Sequence, residues 1–320
     1  MSELLINFLK KVPVPMCGLI LGLASLGNLL FSLGYPTLST VYSVLACGLM
    51  VIILLKIIFT MKHTIKSLND PIVASVSPTF TMSWMVICVF LNRLFPGAPI
   101  IHLLWLISVF LHFILMIYFV TLHIFPTKIE LEHVYPSWFI TFVGIGVIPN
   151  TSAAFNIELG QIVIWVALFF YLILLPLILK RVFVLKKMKE ATLPLITIIT
   201  APGSLCLAGY LSVVEDKSKF LILALFVLSQ SLYILTLCIM LKLLKLPFYP
   251  SYAAFTFPLV ISATAINQTE QFFTHGHALY VFDFFKHLEI IIALCIVSYV
   301  FVIYLRYLVD NMIKVKHHVI

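Results

Sequence analysis

The sequence predicts an all-α integral membrane protein of ten transmembrane helices, paired as five helical hairpins. Three observations carry this. Of 320 residues, 62% are hydrophobic and only 10% are charged, and the mean hydropathy is +1.16. A soluble domain runs nearer half apolar and about a quarter charged. The apolar residues fall in windows as long as the ~20 residues that a helix needs to cross a bilayer. Prolines then recur at the spacing of one hairpin. Soluble enzymes, disordered chains and secreted disulfide scaffolds are excluded.

In chain order the apolar windows lie at about 14–33, 38–61, 72–92, 98–124, 137–155, 159–179, 193–213, 219–244, 251–269 and 285–308. Short connections between them hold nearly every charge. The reading is one transmembrane domain over 1–320, with short tails at about 1–12 and 309–320. The first residues carry Glu3 and no small-residue cleavage site, so no removable signal peptide is expected.

The net charge of +8 is unevenly placed. With both termini on one side, sixteen Lys and Arg residues share that side and only Arg93, Lys217, Lys219 and Lys286 stand opposite. Basic residues collect on the cytoplasmic side of a membrane. The expectation is a multi-pass protein of the cell (inner or plasma) membrane with cytoplasmic N- and C-termini. An odd number of spans would scramble the asymmetry. The excess of positive charge therefore reads as topology and contact with anionic lipid, and no nucleic-acid partner is expected.

The odd windows open on Pro13 or Pro15, Pro71, Pro136, Pro194 and Pro250, at intervals of 58, 65, 58 and 56 residues counted from Pro13. Proline suits a first helical position, where its missing N–H had no partner. A second breaker follows within each odd window: Gly22, Pro78, Gly144, Pro202 and Pro258. Proline inside a helix removes a hydrogen bond and bends the rod. Irregular backbone at membrane depth survives only where protein or a water-filled cavity covers it. The odd helices are therefore expected inside and bent, the even helices outside against lipid. Five similar hairpins imply a quasi-five-fold ring around an axial pore lined by the odd helices.

The odd windows also hold most of the small polar residues. The expected lining is Thr79, Ser83, Asn150, Thr151, Thr197, Thr200, Ser204, Thr256, Ser262, Thr264 and Asn267. Fixed charge is nearly absent there; Glu270, Asp283, Lys286 and Glu289 gather near the ends of windows nine and ten, at or close to the interface. Inner helices entering from the lysine-rich side would point N-termini of roughly +0.5 charge at one mouth. That arrangement concentrates small anions and repels cations.

Chemistry of other kinds has little support. The six cysteines all fall in apolar stretches without a C-x-x-C pair. His102, His112 and His123 share the fourth window, but no carboxylate accompanies them, so no metal site is expected. Phosphate loops, nucleophile elbows and zinc-protease patterns are absent. No catalytic residue and no cofactor are expected.

Four strings give the arrangement a likeness: PMCGLILGLASL (15–26), DPIVASVSP (70–78), YPSWFITFVG (135–144) and YAAFTFPLVISATA (252–265). In this order and spacing the chain resembles the tellurite-resistance/dicarboxylate transporter family. Bacterial tellurite-resistance proteins, fungal malate transporters and the slow anion channels of plant guard cells belong to it. The resemblance implies a homotrimer with one pore per subunit for small inorganic or carboxylate anions. It also implies a phenylalanine plugging the pore from the ninth span, a position that Phe257 matches. Two departures stand out. The long phosphorylated tails of the plant channels have no counterpart here, and no aromatic stands near Val76, Ser77 and Pro78, where some members carry a second ring. The competing readings are a proton-coupled C4-dicarboxylate carrier using Glu270 or Asp283, a tellurite or drug exporter, and an intramembrane metal enzyme built on the fourth-window histidines.

Overall fold

The computed structural model describes residues 3–126, 128–274 and 280–319. Helix makes up 85% of it, and no strand occurs among the described residues. The chain opens with α1 (Glu3–Lys11), which bends by 77° into α2 (Met16–Ser32). Glu3 in its first turn and Lys10 and Lys11 in its last suit the helix dipole. A tight turn leads to α3 (Pro36–Phe59), and its geometry needs glycine. Gly34 has φ +84°, while Tyr35 N–H donates to Leu30 at 2.9 Å and Gly34 N–H to Phe31 at 3.0 Å. This is a Schellman close, which takes a left-handed residue at that position.

After α4 (Met61–Ser67) come α5 (Pro71–Val76) and α6 (Thr79–Leu94), separated only by Ser77 and Pro78. Asp70 caps α5, its Oδ1 accepting from Ile72 N–H at 2.9 Å and Val73 N–H at 3.0 Å. The next hairpin is α7 (Pro99–Phe119), running on as a π-turn to Ile124, then α8 (Trp138–Phe142), a 3-10 turn at Gly144–Gly146 and α9 (Val147–Ser152). Helix α10 (Ile157–Leu179) is capped by Asn156, whose Oδ1 accepts from Leu159 N–H at 3.0 Å, and ends in a π-turn over Lys180–Leu185. A 3-10 stretch, Glu190–Thr200, passes directly into α11 (Ala201–Val213) and is followed by α12 (Lys219–Leu243). A second one, Pro250–Phe255, precedes α13 (Phe257–Thr274); α14 (Tyr280–Val319) closes the chain.

Among the described residues seven stretches are long and apolar enough to cross a membrane: Pro36–Phe59, Pro71–Leu94, Pro99–Ile124, Ile157–Leu185, Glu190–Val213, Lys219–Leu243 and Phe282–Lys316. The bent pair α1–α2 makes an eighth if counted as one span. The expected windows at 137–155 and 251–269 take the form of broken segments, α8–α9 and the 3-10 turn before α13. Burial separates the stretches into two groups. Pro71–Leu94 is 72% buried and Glu190–Val213 89%, against 28–39% for the other five. Most of α2, α8, α9 and α13 is buried as well. The broken, proline-bearing segments are thus inside, and the continuous Leu/Ile/Val/Phe helices turn an apolar face outward.

Both ends are helical. Residues 309–319 continue α14, because LVDNMIKVK contains no helix breaker. The N-terminal tail is the helix α1, and residues 1, 2 and 320 lie outside the described residues. Lys56, near the end of α3, is buried. Its ammonium donates to the carbonyls of Leu9 at 3.2 Å and Lys10 at 3.4 Å, closing the open end of α1.

Candidate pore and its lining

Proline leaves a carbonyl without its helical partner one turn back, and the hydroxyl-rich sequence around each break supplies the missing donor. Pro78 frees Ala74, whose carbonyl accepts from Ser77 Oγ at 2.8 Å. Pro258 frees Ala254, and Thr197 Oγ1 donates to that carbonyl at 2.7 Å from the neighbouring segment.

Bonds of this kind join the inner segments in a closed cycle. Ser83 of α6 donates to Cys17 O of α2 at 2.9 Å. Thr141 of α8 donates to Ser75 O of α5 at 3.0 Å, and Asn150 of α9 to Leu205 O of α11 at 3.0 Å. Thr197 reaches Ala254 as above, and Thr256 donates to Gly18 O of α2 at 3.0 Å. Ser83, Thr197 and Thr256 each share one proton with a carbonyl of their own segment. Within a membrane such a bond contributes about 0.6 kcal/mol, so together the five fix the arrangement more than they hold it.

Between these segments lies a cavity of about 50 Å³. All five contribute to its wall, including Gly18 and Leu21, Val76 and Thr79, Val143 and Gly144, Ala201 and Pro202, and Phe257 and Pro258. The wall is almost wholly apolar. A volume of this size admits a few waters, but not an anion with its hydration shell. Phe257 is 7% exposed and is the first residue of α13, so its ring enters from the point where the 3-10 turn gives way to α-helix. Thr79 and Ala201 likewise begin α6 and α11, and α2 and α9 start within a few residues of the wall. Three α-helices, α6, α11 and α13, therefore begin on the cavity wall, and α5 and α8 end beside it. A helix start carries a partial positive charge.

Of the expected breakers, Gly144, Pro202 and Pro258 line the cavity, and Pro78 sits between the lining residues Val76 and Thr79. Gly22 does not break its helix, because α2 runs through it without interruption. Its lack of a side chain serves a close approach: a Cβ there would lie 2.5 Å from Thr256 Cβ and 3.1 Å from Phe257 N. Of the expected polar lining, Thr79 is on the wall, with its hydroxyl given to Val76 O at 2.7 Å. Asn150, Thr256 and Thr264 lie outside it and donate to backbone carbonyls, and Thr200 is buried beside it with no partner for Oγ1. Hydroxyls near a helix break serve the backbone first. Sequence reasoning missed the apolar lining, notably Phe139, Met82, Leu195 and Ile198. Its one signal was position, since each flanks a predicted break.

Charge surrounds the cavity at a distance. His63 of α4 is held below the ordinary imidazole range, first by partial burial and then by Lys56, Lys10, Lys66 and Lys11. Lys187 stands 3.0 Å from Glu132 and, through that hydrogen bond, holds the Glu132 carboxyl below its usual range. Tyr249 donates to Glu190 Oε1 at 2.7 Å, which raises its phenol. The three histidines of the fourth window stand apart: His102 edges onto Phe155, His112 bonds Thr81 at 2.9 Å, and His123 bonds Leu68 O at 3.0 Å. Among the described residues no three His, Cys, Asp or Glu side chains come together.

Comparison with known proteins agrees with these observations. No curated protein matches the chain. The model of one family, SLAC1, described as voltage-dependent anion channel, matches residues 11–308, nearly the whole chain. That family falls within the tellurite-resistance/dicarboxylate transporter group and comprises channels and transporters of anions. The protein is a multi-pass membrane protein, and by this match it belongs to the SLAC1 family of voltage-dependent anion channels.

Proposed function

We propose that the chain is a channel for small anions whose conduit passes through the cavity between the five inner segments and is plugged in this structure by Phe257. The observation that supports this best is one apolar cavity walled by all five inner segments, on which α6, α11 and α13 begin and which Phe257 enters. Partial positive charge without a fixed cation attracts an anion and still releases it. A buried lysine or arginine would bind too tightly for passage. The closed cycle of hydrogen bonds supports a ring of five hairpins and ten crossings in one domain over 1–320. Gly144, Pro202 and Pro258 then lie on the conduit, Pro78 beside it, and Gly22 behind the gate. Thr79 is the one expected polar residue on this path, while Asn150 and Thr256 brace it from neighbouring segments and Thr200 and Thr264 lie off it. Assembly as a homotrimer in the cell membrane belongs to the same reading.

Flux into proteoliposomes is the test. Chloride, nitrate and malate should enter Phe257→Ala protein whether or not a proton gradient is imposed. Uptake that requires an inward proton gradient would identify a proton-coupled carrier of C4-dicarboxylates, and tellurite entering alone would identify an exporter of that oxyanion.

Orientation follows from the charge asymmetry, with both termini cytoplasmic. Ser218 and Lys187 are both exposed in loops and provide the markers. A cysteine at Ser218 should react with an impermeant thiol reagent applied to intact cells, and one at Lys187 only after permeabilisation. The reverse pattern would invert the topology.

A further inference from the structure

Away from the cavity, α14 carries Asp283, Lys286 and Glu289 on successive turns that run from solvent into the protein. The Asp283 side chain is 40% exposed and that of Lys286 13%, while Glu289 is 3% exposed. Lys286 Nζ lies 2.8 Å from Asp283 Oδ1 and 2.7 Å from Glu270 Oε2 of α13. That ammonium is already shared by two carboxylates. Glu289 sits one turn deeper, with Ser262 of α13 and Gln230 of α12 as its hydrogen-bonding neighbours. Gln230 Nε2 also donates to Ser262 Oγ at 3.4 Å. Tyr233, one turn along α12 from Gln230, is close enough to feel a charge on Glu289. Glu289 Oε2 and the Tyr233 hydroxyl are both buried without a hydrogen-bond partner.

Among the described residues the groups facing Glu289 are Gln230 and Tyr233 from α12 and Ser262 from α13; Lys286 stands one turn away along α14, held by Asp283 and Glu270. None supplies it with a cation of its own. A buried carboxyl with one oxygen left unpartnered is costly as a bare anion and gains from a proton there. Ionisable residues inside a membrane mark pathways for protons or ions, and the Asp283–Lys286–Glu270 cluster lies one turn from Glu289 toward the exposed start of α14.

We propose that Glu289, with Gln230, Tyr233 and Ser262, forms a proton-binding site at membrane depth. It is filled along Asp283, Lys286 and Glu270 from the face where α13 ends and α14 begins, and its occupancy sets the position of α13. A proton from water forms an O–H bond on Glu289 Oε2, converting carboxylate to acid, and leaves by the same route. Ionised, Glu289 draws the Ser262 hydroxyl and the Gln230 amide toward itself; protonated, it lets them go. Ser262 lies five residues beyond Phe257 on the same helix. The effect on flux rests on the pore reading above, but the site itself does not.

Infrared difference spectra of the reconstituted full chain, taken between acid and alkaline buffer, test the site. The expected result is a carboxylic-acid carbonyl band that disappears in Glu289→Gln and moves in frequency in Glu289→Asp. A band unchanged in both variants overturns the site. A band that appears only when sodium is withheld also overturns it, because the occupant is then sodium. The coupling is read separately as anion flux through Phe257→Ala protein against pH. That dependence should be lost in Phe257→Ala/Glu289→Gln, and its persistence overturns the link to α13. If Phe257→Ala passes no anion at any pH, the pore reading fails while the infrared result stands.

Discussion

Replacing Phe257 by alanine should convert a closed protein into a leaky one. The ring borders an apolar space that holds a few waters at most. Moving a small ion into a low-dielectric space costs on the order of 20 kcal/mol by idealised Born arithmetic, so an intact plug blocks by dehydration as much as by occupancy. Without the ring, water can fill the gap and the partial charges of the helix starts act on a hydrated anion. Flux should rise by at least about tenfold, which corresponds to roughly 1.4 kcal/mol off the barrier. Phe255 provides the contrast. It is fully buried, and its ring lies 4.9 Å from that of Tyr252, edge to face, away from the cavity. Phe255→Ala should lose about 3–5 kcal/mol of stability and should not leak. The two variants, measured by thermal denaturation in detergent and by liposome flux, should show opposite signatures. Unchanged flux in well-folded Phe257→Ala would remove the gate assignment.

Gly22→Val should damage both stability and closure. A Cβ at Gly22 would meet Thr256 Cβ at 2.5 Å and Thr256 Oγ1 at 2.6 Å, which is nearer than real atoms come. Thr256 must retreat, and the backbone nitrogen of Phe257, 3.1 Å from the same point, moves with it. Overpacking of this kind costs about 1–3 kcal/mol, and here the displaced atoms carry the plug. The expected outcome is a lowered Tm together with altered anion flux. At Gly48 of α3 a Cβ would meet nothing within 4 Å, so Gly48→Ala should leave both readouts alone. Equal behaviour of the two variants would mean that the contact between α2 and the Thr256–Phe257 turn does not constrain the gate.

Much of this architecture was legible because proline and glycine act locally. The stretches Pro71–Leu94 and Glu190–Val213, marked by internal breakers and small polar residues, are the ones the structure buries. Phe257 was singled out by resemblance and by its place directly before the breaker Pro258, since nothing in composition distinguishes one Phe among 27. The hydroxyl lining was misread for a physical reason. A threonine near a break can face either a cavity or an orphaned carbonyl, and sequence does not say which is closer. Thr197 and Thr256 went to carbonyls of neighbouring segments that are adjacent only in the folded chain. The same blindness to long-range proximity hid that α12 and α13 cover Glu289. It also read Gly22 as a hinge when the demand on it comes from Thr256, more than two hundred residues away.

The cycle of hydrogen bonds among the inner segments begins and ends within one polypeptide. On the proposed reading no stretch of the conduit waits for a residue from another copy, and each chain is then a complete unit of conductance. In genetic terms an inert allele then subtracts only its own share. Cells carrying one working and one silent copy keep about half the current, and a poisoned subunit has no hold over its neighbours. Pores that form on the axis of an oligomer, where every subunit supplies part of the wall, are open to dominant inhibition. A chain that closes its own ring, as proposed for this one, is sheltered from it.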